Sequence, residues 1–310
     1  MIAVLFPGQG SQAMGMGCDL CDASDAARAT FDEASEVLGY DLTGVCRIGP
    51  LEELARTEVT QPALLAHSVA ALRMLQEGGF VFDAALGHSL GEYSALVATG
   101  ALGFRDAVAL VKVRGEAMAA AALRPGGMVA VLGLSADTVT TLCAGFEAAW
   151  PANFNCPGQV VVSCAEASLA AFEEAAKGAG ARRVLRLPVS GAFHSPLLAP
   201  AAEALRGPLA ATPWAAPRPA FFSTCSAGFE DAGFAALLER QIVSPVRFEE
   251  SIRRLAAEGY NAYLEIGPGA VLTGLVKRID READTATAGD LGSLSAALGH
   301  GWTSTLKGDR

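Results

Sequence analysis

A serine between two glycines is the residue whose surroundings most clearly predict chemistry. Residues 84–96 read AALGHSLGEYSAL, so Ser89 stands at the centre of a G-x-S-x-G pattern that runs from Gly87 to Gly91. A short apolar run precedes the pattern and a helix-like segment follows it. This is the setting of a nucleophile elbow, a tight strand-to-helix turn that exposes a serine hydroxyl. Ser89 is therefore predicted to be a nucleophile, and a serine that only caps the next helix is the alternative.

A serine hydroxyl attacks only when a base takes its proton, and that base is usually histidine. The chain has four histidines. His67 falls inside a predicted helix, His300 lies near the C-terminus, and His88 adjoins Ser89 where strand alternation would turn it away. His194, in PVSGAFHSPLL, follows a predicted strand and precedes a helix, so a loop can aim it at the serine. We predict that His194 is the base. The alternative is a histidine that only caps or hydrogen-bonds the start of the next helix.

Covalent catalysis also needs donors for the oxyanion. The amide of Leu90 is the first candidate, because it follows the serine at a helix N-terminus. The loop LFPGQGSQAMG is the best source of the second donor, but Gly8–Ala13 also fits the loose G-x-G-x-x-G/A pattern of a dinucleotide-binding oxidoreductase. Pro7 at the turn counts against that alternative, as do Asp32 and Glu33, which fall inside a predicted helix. A serine hydrolase acting on an ester or thioester is the third candidate function.

Strand and helix patterns alternate along most of the chain, which predicts an α/β fold with a parallel sheet covered on both faces. Between about residues 126 and 190 the order becomes β-α-β-β-α-β, which is that of a ferredoxin-like unit. A small α+β module is thus predicted to be inserted in a larger α/β domain. Beyond Asp280 we expect a frayed helix and then loose chain.

Composition excludes several classes of protein. Of the 310 residues, 51% are hydrophobic and 18% are charged, as in a compact globular protein. The formal charge of −10 argues against nucleic-acid binding. No apolar run approaches the ~20 residues that span a bilayer, and the N-terminus has no basic segment, so we expect a cytoplasmic protein without membrane association. Seven scattered cysteines predict neither disulfides nor a metal site, because the Cys18–Cys21 pair has no second pair and no nearby histidine.

Seven motifs in order carry a resemblance to a known family. They are FPGQGSQ, TQPALLAHS, GHSLGEYSALVATGAL, VKVRGEAM, GAFHSPLL, SPVRF and EIGPGAVLTGL, spread over residues 6–276. Together they resemble the malonyl-CoA:acyl carrier protein transacylase family, which includes the acyltransferase domains of polyketide synthases. The similarity extends over nearly the whole chain.

The resemblance implies an α/β-hydrolase-like large subdomain with an inserted ferredoxin-like small subdomain. The bounds are then 1–125 and 191–285 for the large subdomain, 126–190 for the small one, and 286–310 for a C-terminal tail. It also implies a ping-pong reaction in which malonyl-CoA acylates the serine and the phosphopantetheine thiol of holo acyl carrier protein takes the malonyl group away. No cofactor and no metal are expected, and a monomer is our default.

The resemblance assigns the catalytic residues by position. Ser89 matches the nucleophile, His194 the base, and Gln9 and Leu90 the two oxyanion amides. An α/β-hydrolase analogy would seek an acidic partner for the histidine, and Asp106, Asp137 and Glu147 would compete for that role. In the family, however, a main-chain carbonyl orients the imidazole, and the resemblance assigns that role here to the carbonyl of Gln241 in RQIVSPV.

Four further residues match the substrate pocket. Arg114 in VKVRGEAM matches the arginine that holds the malonyl carboxylate, because a planar guanidinium can grip a carboxylate with two hydrogen bonds. Met118 lies one helical turn further on, and Gln61 matches another pocket residue. Phe193 beside His194 would crowd a methyl group on the second carbon of the substrate, a discrimination worth ~1–3 kcal/mol. The alternatives are a solvated Arg114, core packing for Met118 and a polar helix cap for Gln61.

The carrier protein is acidic in this family, so a local basic patch is expected. The candidate clusters are Arg182, Arg183 and Arg186 on one predicted strand, and Lys277 and Arg278 on a late helix.

Overall fold

The structure is a computed structural model that describes residues 1–122, 126–189 and 191–302. Its strands are β1 (Ile2–Phe6), β2 (Ala84–Gly87), β3 (Gly126–Leu132), β4 (Ala149–Cys156), β5 (Gln159–Ala165), β6 (Arg183–Arg186), β7 (Ala220–Ser223), β8 (Gly228–Glu230), β9 (Ala262–Ile266) and β10 (Asp284–Ala288). Its helices are α1 (Cys18–Ala23), α2 (Asp25–Leu38), α3 (Leu42–Ile48), α4 (Leu51–Leu54), α5 (Thr57–Glu77), α6 (Gly91–Ala98), α7 (Phe104–Ala121), α8 (Ala136–Ala144), α9 (Glu166–Gly178), α10 (Ala199–Ala211), α11 (Phe234–Gln241), α12 (Phe248–Ala257), α13 (Val271–Ile279) and α14 (Leu291–Leu298).

A parallel-rich sheet forms the larger part of the molecule. Within the described residues it has six strands in the order β10-β9-β1-β2-β7-β8, and only the β7–β8 pairing is antiparallel. Strand β1 is buried throughout, and its residues alternate between two apolar cores, with Val4 and Phe6 in one and Ala3 and Leu5 in the other. Both faces of the sheet are therefore covered, as the sequence predicted for a parallel sheet.

The second sheet is antiparallel and is built from residues 126–186. Its described strands have the order β4-β5-β3-β6, and the chain order is β3-α8-β4-β5-α9-β6, as the sequence predicted. Helices α8 and α9 pack on it around Val129, Val162 and Phe172. The protein thus has a mixed α/β fold with a parallel-rich sheet and a separate antiparallel sheet.

Main-chain hydrogen bonds tie the antiparallel sheet to the chain between α11 and α12. Val246, just before α12, donates its amide to Ala152 O at 2.8 Å and accepts from Phe154 N at 2.8 Å. Strand β4 is therefore tied to the chain that carries α11 and α12. This ladder fixes one wall of the cleft between the sheets relative to the other.

The expectation of a loose C-terminal segment beyond Asp280 was wrong for the residues that the structure describes. Strand β10 pairs in parallel with β9 along its whole length, and α14 begins with a capping box between Asp290 and Ser293. His300 lies 3.1 Å from Asp284 Oδ2. The sequence DTATA alternates only threonine with alanine and has no large apolar side chain, so its strand signal is weak. The strand is held by its backbone bonds at the edge of the sheet. Composition alone could not reveal it.

No helix among the described residues is both long enough and apolar enough to cross a membrane. The seven cysteines all lie in the described part of the chain, and each is buried and free of a disulfide. Over the same residues, no three His, Cys, Asp or Glu side chains are grouped so as to hold a metal ion.

The turn between β2 and α6 is closely packed against its own backbone and against β1. Ser89 has a φ of 54°, in the left-handed region that non-glycine residues rarely adopt. A Cβ on Gly87 would lie 1.8 Å from the backbone carbon of Gly91, and a Cβ on Gly91 would lie 2.0 Å from Phe6 O. Both glycines are thus required for the backbone to fold back on itself and against β1.

We expect Gly87→Ala to lower the free energy of unfolding by about 3 kcal/mol, because the new methyl group would overlap backbone atoms that cannot move aside. Gly207→Ala is the matched control, since Gly207 lies in α10 and its added Cβ would meet nothing within 4 Å. The control should be neutral or stabilising. Urea unfolding followed by circular dichroism measures both values, and equal stability of the two variants would contradict this account of the turn.

Candidate active site

A cleft of about 480 Å³ lies between the two sheets, where β1 and β2 end. The loop after β1 contributes Gln9, and the turn after β2 contributes Ser89. His194 lies on the loop that returns from the small sheet, and Asn153 and Asn155 of β4 line the opposite wall. The carboxyl ends of parallel strands are the usual place for a site in an α/β fold.

The structure brings Ser89 and His194 together across 105 residues of chain, with Ser89 Oγ 2.7 Å from His194 Nε2. A second neighbour fixes the direction of this hydrogen bond. Arg114 Nη2 lies 3.1 Å from the same Oγ and can only donate. The hydroxyl proton of Ser89 is therefore free to point at His194 Nε2, which accepts it. This is the geometry of a hydroxyl paired with its general base.

The other ring nitrogen of His194 fixes its tautomer. Nδ1 lies 3.0 Å from the main-chain oxygens of both Gln241 and Ser244, which can only accept, so Nδ1 carries the proton. The family resemblance led to the carbonyl of Gln241, and the sequence analysis missed that of Ser244, which has no side-chain signal. None of Asp106, Asp137 and Glu147, the carboxylates that a hydrolase analogy would favour, is a partner of His194.

The loop that carries His194 is itself under constraint. His194 has a φ of 55°, again in the left-handed region. Ser163 on β5 donates a hydrogen bond to Phe193 O, and Ser195 Oγ donates to Ala192 O at 2.6 Å. The strained backbone is thus tied to the small sheet on one side and to its own turn on the other.

Gln9 and Leu90, the predicted oxyanion donors, both line the cleft. In the part of the chain that the structure describes, neither backbone amide donates to another protein group. Leu90 is the N-cap of α6, where amides are free of helical bonds. Gln9 is held by its side chain, whose Nε2 lies 3.2 Å from Thr57 Oγ1. Two main-chain donors are therefore available beside Ser89.

Arg114 of α7 is 1% exposed, and its Nη2 donates to Ser89 Oγ. Its Nη1 donates to Gln61 Oε1 at 2.7 Å, and Gln61 Nε2 in turn contacts Met118 Sδ at 3.5 Å. A Cβ on Gly115 would lie 2.8 Å from Glu58 Cα, so this glycine allows α5 and α7 to approach closely enough for that contact. The structure thus brings Gln61, Arg114 and Met118 together.

Arg114 makes no ion pair with a carboxylate among the described residues, although it is buried. Its partners are two amide oxygens, those of Gln61 and Gln241, and the hydroxyl of Ser89. Burial lowers the pKa of Arg114, while Tyr93 and Glu92 act to raise it. A guanidinium keeps its charge even when buried. The cleft therefore contains a cation that can receive an anionic group.

The remaining wall of the cleft contains Phe193 and His88. Phe193 is buried beside His194 and lines the cleft. His88 turns away from Ser89, as strand alternation predicted, and its Nε2 lies 3.0 Å from Asn155 Oδ1 and 3.4 Å from Asn153 Nδ2. Burial lowers the pKa of His88, so this imidazole adds a neutral polar surface to the cleft.

One residue that the sequence analysis did not single out, Glu92, completes the arrangement. The carboxylate of Glu92, in the first turn of α6, is fully buried and accepts a hydrogen bond from Gln241 Nε2 at 2.6 Å. Gln241 Nε2 also donates to Ser89 O at 3.0 Å. A signal for Glu92 was present, because a carboxylate in an apolar helix such as GEYSALVA must find partners.

The loop after β1 does not have the geometry of a dinucleotide site. The glycines of such a site open a helix, but after Gly8–Ala13 the next helix begins only at Cys18. A Cβ on Gly8 would lie 2.5 Å from His88 O. This glycine therefore lets the loop pack against the turn that carries Ser89.

The two basic clusters differ in their surroundings. Arg186 is paired with Glu173 at 2.9 Å and lies 4.0 Å from Glu166. Arg278 on α13 instead donates to Gln159 Oε1 at 2.6 Å, and Gln159 lines the cleft. Arg278 thus lies beside the cleft, whereas Lys277 Nζ donates to Ala283 O at 2.5 Å.

The cleft contains a serine paired with a neutral histidine, free main-chain amides and a buried guanidinium. An α/β enzyme site of this kind is suited to acyl transfer through a serine ester. The profile of one family, described as the acyl transferase domain, matches residues 4–300. The chain belongs to this family.

Curated relatives are similar over almost their whole length. The malonyl CoA-acyl carrier protein transacylase of Bacillus subtilis is 44% identical over 304 residues, which is 96% of this chain and 96% of the relative. The protein of the same name from Escherichia coli K12 is 43% identical over 301 residues, covering 95% of this chain and 96% of the relative.

Solved structures give the same result. A malonyl-transacylase solved in complex with a type II polyketide synthase acyl carrier protein has a TM-score of 0.94 and 41% identity, covering 96% of this chain and 99% of that one. An acyl carrier protein S-malonyltransferase from Vibrio cholerae has a TM-score of 0.93 and 42% identity over 96% of this chain and 99% of that one.

The surroundings of His194 predict an unusual pH dependence. Burial above all, with the nearby charge of Arg114, lowers the pKa of His194 from 6.5 to about 3. A base acts in its neutral form, and a lowered pKa keeps the imidazole neutral further into acid. The acylation rate of Ser89 should therefore stay level from about pH 8 to about pH 5.

Single-turnover release of CoA thiol measures that rate, and circular dichroism at each pH checks that the fold persists. An inflection between about pH 6 and pH 7, where an ordinary histidine titrates, would contradict the prediction.

Proposed function

We propose that this chain is a malonyl-CoA:acyl carrier protein S-malonyltransferase that works through an ester on Ser89. The observation that carries the proposal is the buried guanidinium of Arg114, which lies 3.1 Å from the hydroxyl of Ser89 and has no ion pair with a carboxylate among the described residues. Family membership gives the acyl transfer, and this cation gives the class of acyl group. The partners are malonyl-CoA and the holo acyl carrier protein.

The first half-reaction loads the enzyme. Ser89 Oγ attacks the thioester carbonyl of malonyl-CoA while His194 Nε2 takes the hydroxyl proton. The amides of Gln9 and Leu90 donate to the oxyanion that forms. The tetrahedral intermediate collapses, the carbon–sulfur bond breaks, and the proton on His194 passes to the departing CoA sulfur. The products are free CoA thiol and malonyl-Ser89.

The second half-reaction reverses these roles. The phosphopantetheine thiol of the carrier protein gives its proton to His194 and attacks the malonyl ester. The carbon–oxygen bond breaks, and His194 returns the proton to Ser89 Oγ. Water must be a poorer acceptor than the thiol, because otherwise the enzyme would be a hydrolase.

Arg114 selects the substrate in this proposal. A carboxylate pairs with a guanidinium through two parallel hydrogen bonds, and the low polarity of a buried site strengthens them. Gln61 holds Nη1 in place, and Met118 packs behind Gln61. Phe193 narrows the cleft beside His194 and disfavours a branched acyl group by ~1–3 kcal/mol per methyl.

The two sheets support a division into subdomains. We propose an α/β-hydrolase-like large subdomain of residues 1–125 and 191–285 and a ferredoxin-like small subdomain of residues 126–190. The segment from 286, which the sequence analysis treated as a tail, continues the edge strand β10 of the large sheet.

The carrier protein is proposed to dock beside α13, whose Arg278 contacts Gln159 in the cleft wall. Seven buried thiols are in keeping with a cytoplasmic setting.

The experiment that tests the proposed function follows labelled malonyl groups. The protein is incubated with radiolabelled malonyl-CoA and then with holo carrier protein. The label should remain on the wild-type enzyme and move to the carrier, and Ser89→Ala should take up no label. Free malonate in large excess over malonyl-carrier would support the thioesterase alternative, and wild-type labelling of Ser89→Ala would remove Ser89 from its role.

The proposed role of Arg114 predicts a change of specificity. In Arg114→Ala, kcat/KM for malonyl-CoA should fall about a hundredfold, because the substrate carboxylate loses its charged partner. Acetyl transfer should hold or rise, since the acetyl group has no carboxylate. Release of CoA thiol measures both rates, and an equal loss for the two substrates would contradict the assignment.

A further inference from the structure

Glu92 is a second buried charge beside the site, and the proposed mechanism does not use it. It lies three residues after Ser89 in the first turn of α6. Its Oε1 is 2.6 Å from Thr224 N and 3.2 Å from Cys225 N. The hydroxyl oxygens of Ser223 and Thr224 each lie 2.9 Å from the same Oε1. Its Oε2 is 2.6 Å from Gln241 Nε2.

Neighbours of fixed polarity settle the orientation of the Gln241 amide. The main-chain oxygen of Ser89 can only accept, and it lies 3.0 Å from Nε2; Arg114 Nη2 can only donate, and it lies 3.1 Å from Oε1. The amide nitrogen therefore faces Ser89 and Glu92, and the amide oxygen faces Arg114. Glu92 accepts at both of its oxygens, because the amides of Thr224 and Cys225 also donate to it. Burial raises the pKa of Glu92, and hydrogen bonds from Ser223, Thr224 and Gln241 oppose that rise by favouring the carboxylate.

The result is a cation and an anion joined through one neutral amide. Both Arg114 and Glu92 are at most 1% exposed, and an isolated charge at such depth is costly. A direct ion pair between them would offset that cost, but it would also occupy the guanidinium edge that a substrate carboxylate needs. Gln241 places the countercharge one amide further away, so that Arg114 is held and remains open to an anion.

We propose that Glu92 and the side chain of Gln241 form a positioning pair that directs Arg114 toward acyl groups bearing a free carboxylate. The inference rests on the proposed function, because it takes malonyl as the transferred group. Neither residue touches the reacting carbon through its side chain. Their effect is on the choice between malonyl and acetyl groups, whereas the main-chain carbonyl of Gln241 serves His194.

Glu92→Gln tests the countercharge. The new amide nitrogen must face either the donors at Thr224 and Cys225 or the amide nitrogen of Gln241. If it faces the amide nitrogen of Gln241, two donors oppose each other unless the Gln241 amide flips. After such a flip, the Gln241 nitrogen would face the Nη2 donor of Arg114. We expect kcat/KM for malonyl loading of Ser89 to fall about tenfold or more, and acetyl loading to stay within about threefold of wild type.

Gln241→Met tests the bridge separately. Methionine keeps the main-chain carbonyl that orients His194 and removes the polar bridge, while Glu92 retains Ser223, Thr224 and Cys225. The ratio of malonyl to acetyl loading should fall by about the same factor as in Glu92→Gln. Gln241→Met decides the question alone if Glu92→Gln does not yield folded protein.

Glu265→Gln is the matched control. Glu265 of β9 is also fully buried and accepts from the amides of Leu272 and Thr273 at 3.0 Å and 2.8 Å, but it has no hydrogen bond to Gln241. Its substitution removes a comparable buried carboxylate, so the malonyl-to-acetyl ratio should match that of wild type. A lower ratio in this control would mean that any buried carboxylate has the same effect, and would overturn the proposal.

Loading is measured as the release of CoA thiol in a single turnover with malonyl-CoA or acetyl-CoA. An unchanged ratio in Gln241→Met, or an equal loss for both substrates, overturns the positioning role while wild-type malonyl loading leaves the proposed function intact. A wild-type protein that forms no malonyl ester rejects both.

Discussion

The hydrogen bond between Ser89 and His194 depends on two stretches of backbone that are both held in the left-handed region. Neither conformation is stable in isolation, because a side chain at positive φ crowds its own main chain. On one side, Gly87 and Gly91 let β2, the turn and β1 pack without a gap. On the other, hydrogen bonds from Ser163 and Ser195 hold the loop. The large and small sheets must both be folded before the two side chains can meet.

The same contact requires an imidazole that is neutral beside a guanidinium that is charged. Burial and Arg114 both disfavour a proton on His194, and the carbonyls of Gln241 and Ser244 only partly oppose them. A carboxylate in place of those carbonyls would raise the pKa of His194 and would compete for Arg114. Orientation by main-chain oxygens therefore fixes the tautomer without neutralising the cation, which explains why the acidic member of a hydrolase triad has no place here.

The sequence predicted the parts of this site that depend on local pattern. The glycine spacing around Ser89, the helix that carries Arg114 and the β-α-β-β-α-β order of the small sheet all follow from periodicity and turn residues. It could not predict contacts that depend on folding alone. Ser244 acts through a main-chain oxygen, Glu92 accepts from donors more than 130 residues away, and β10 contains no large apolar residue. The position of Gln241 came from family resemblance, because nothing local distinguishes it.

The two walls of the cleft are built from different sheets. Ser89, Arg114 and the chain around Gln241 all belong to the part built on the parallel sheet, whereas Asn153 and Asn155 project from β4 of the antiparallel sheet. The main-chain ladder at Val246 joins the walls, and it involves no side chain of the site. Because backbone bonds fix the separation of the walls, side chains on β4 can change the shape of the cleft without moving the serine, the imidazole or the guanidinium. The geometry of the serine–histidine pair and the shape of the opposite wall are thus physically separable in this fold.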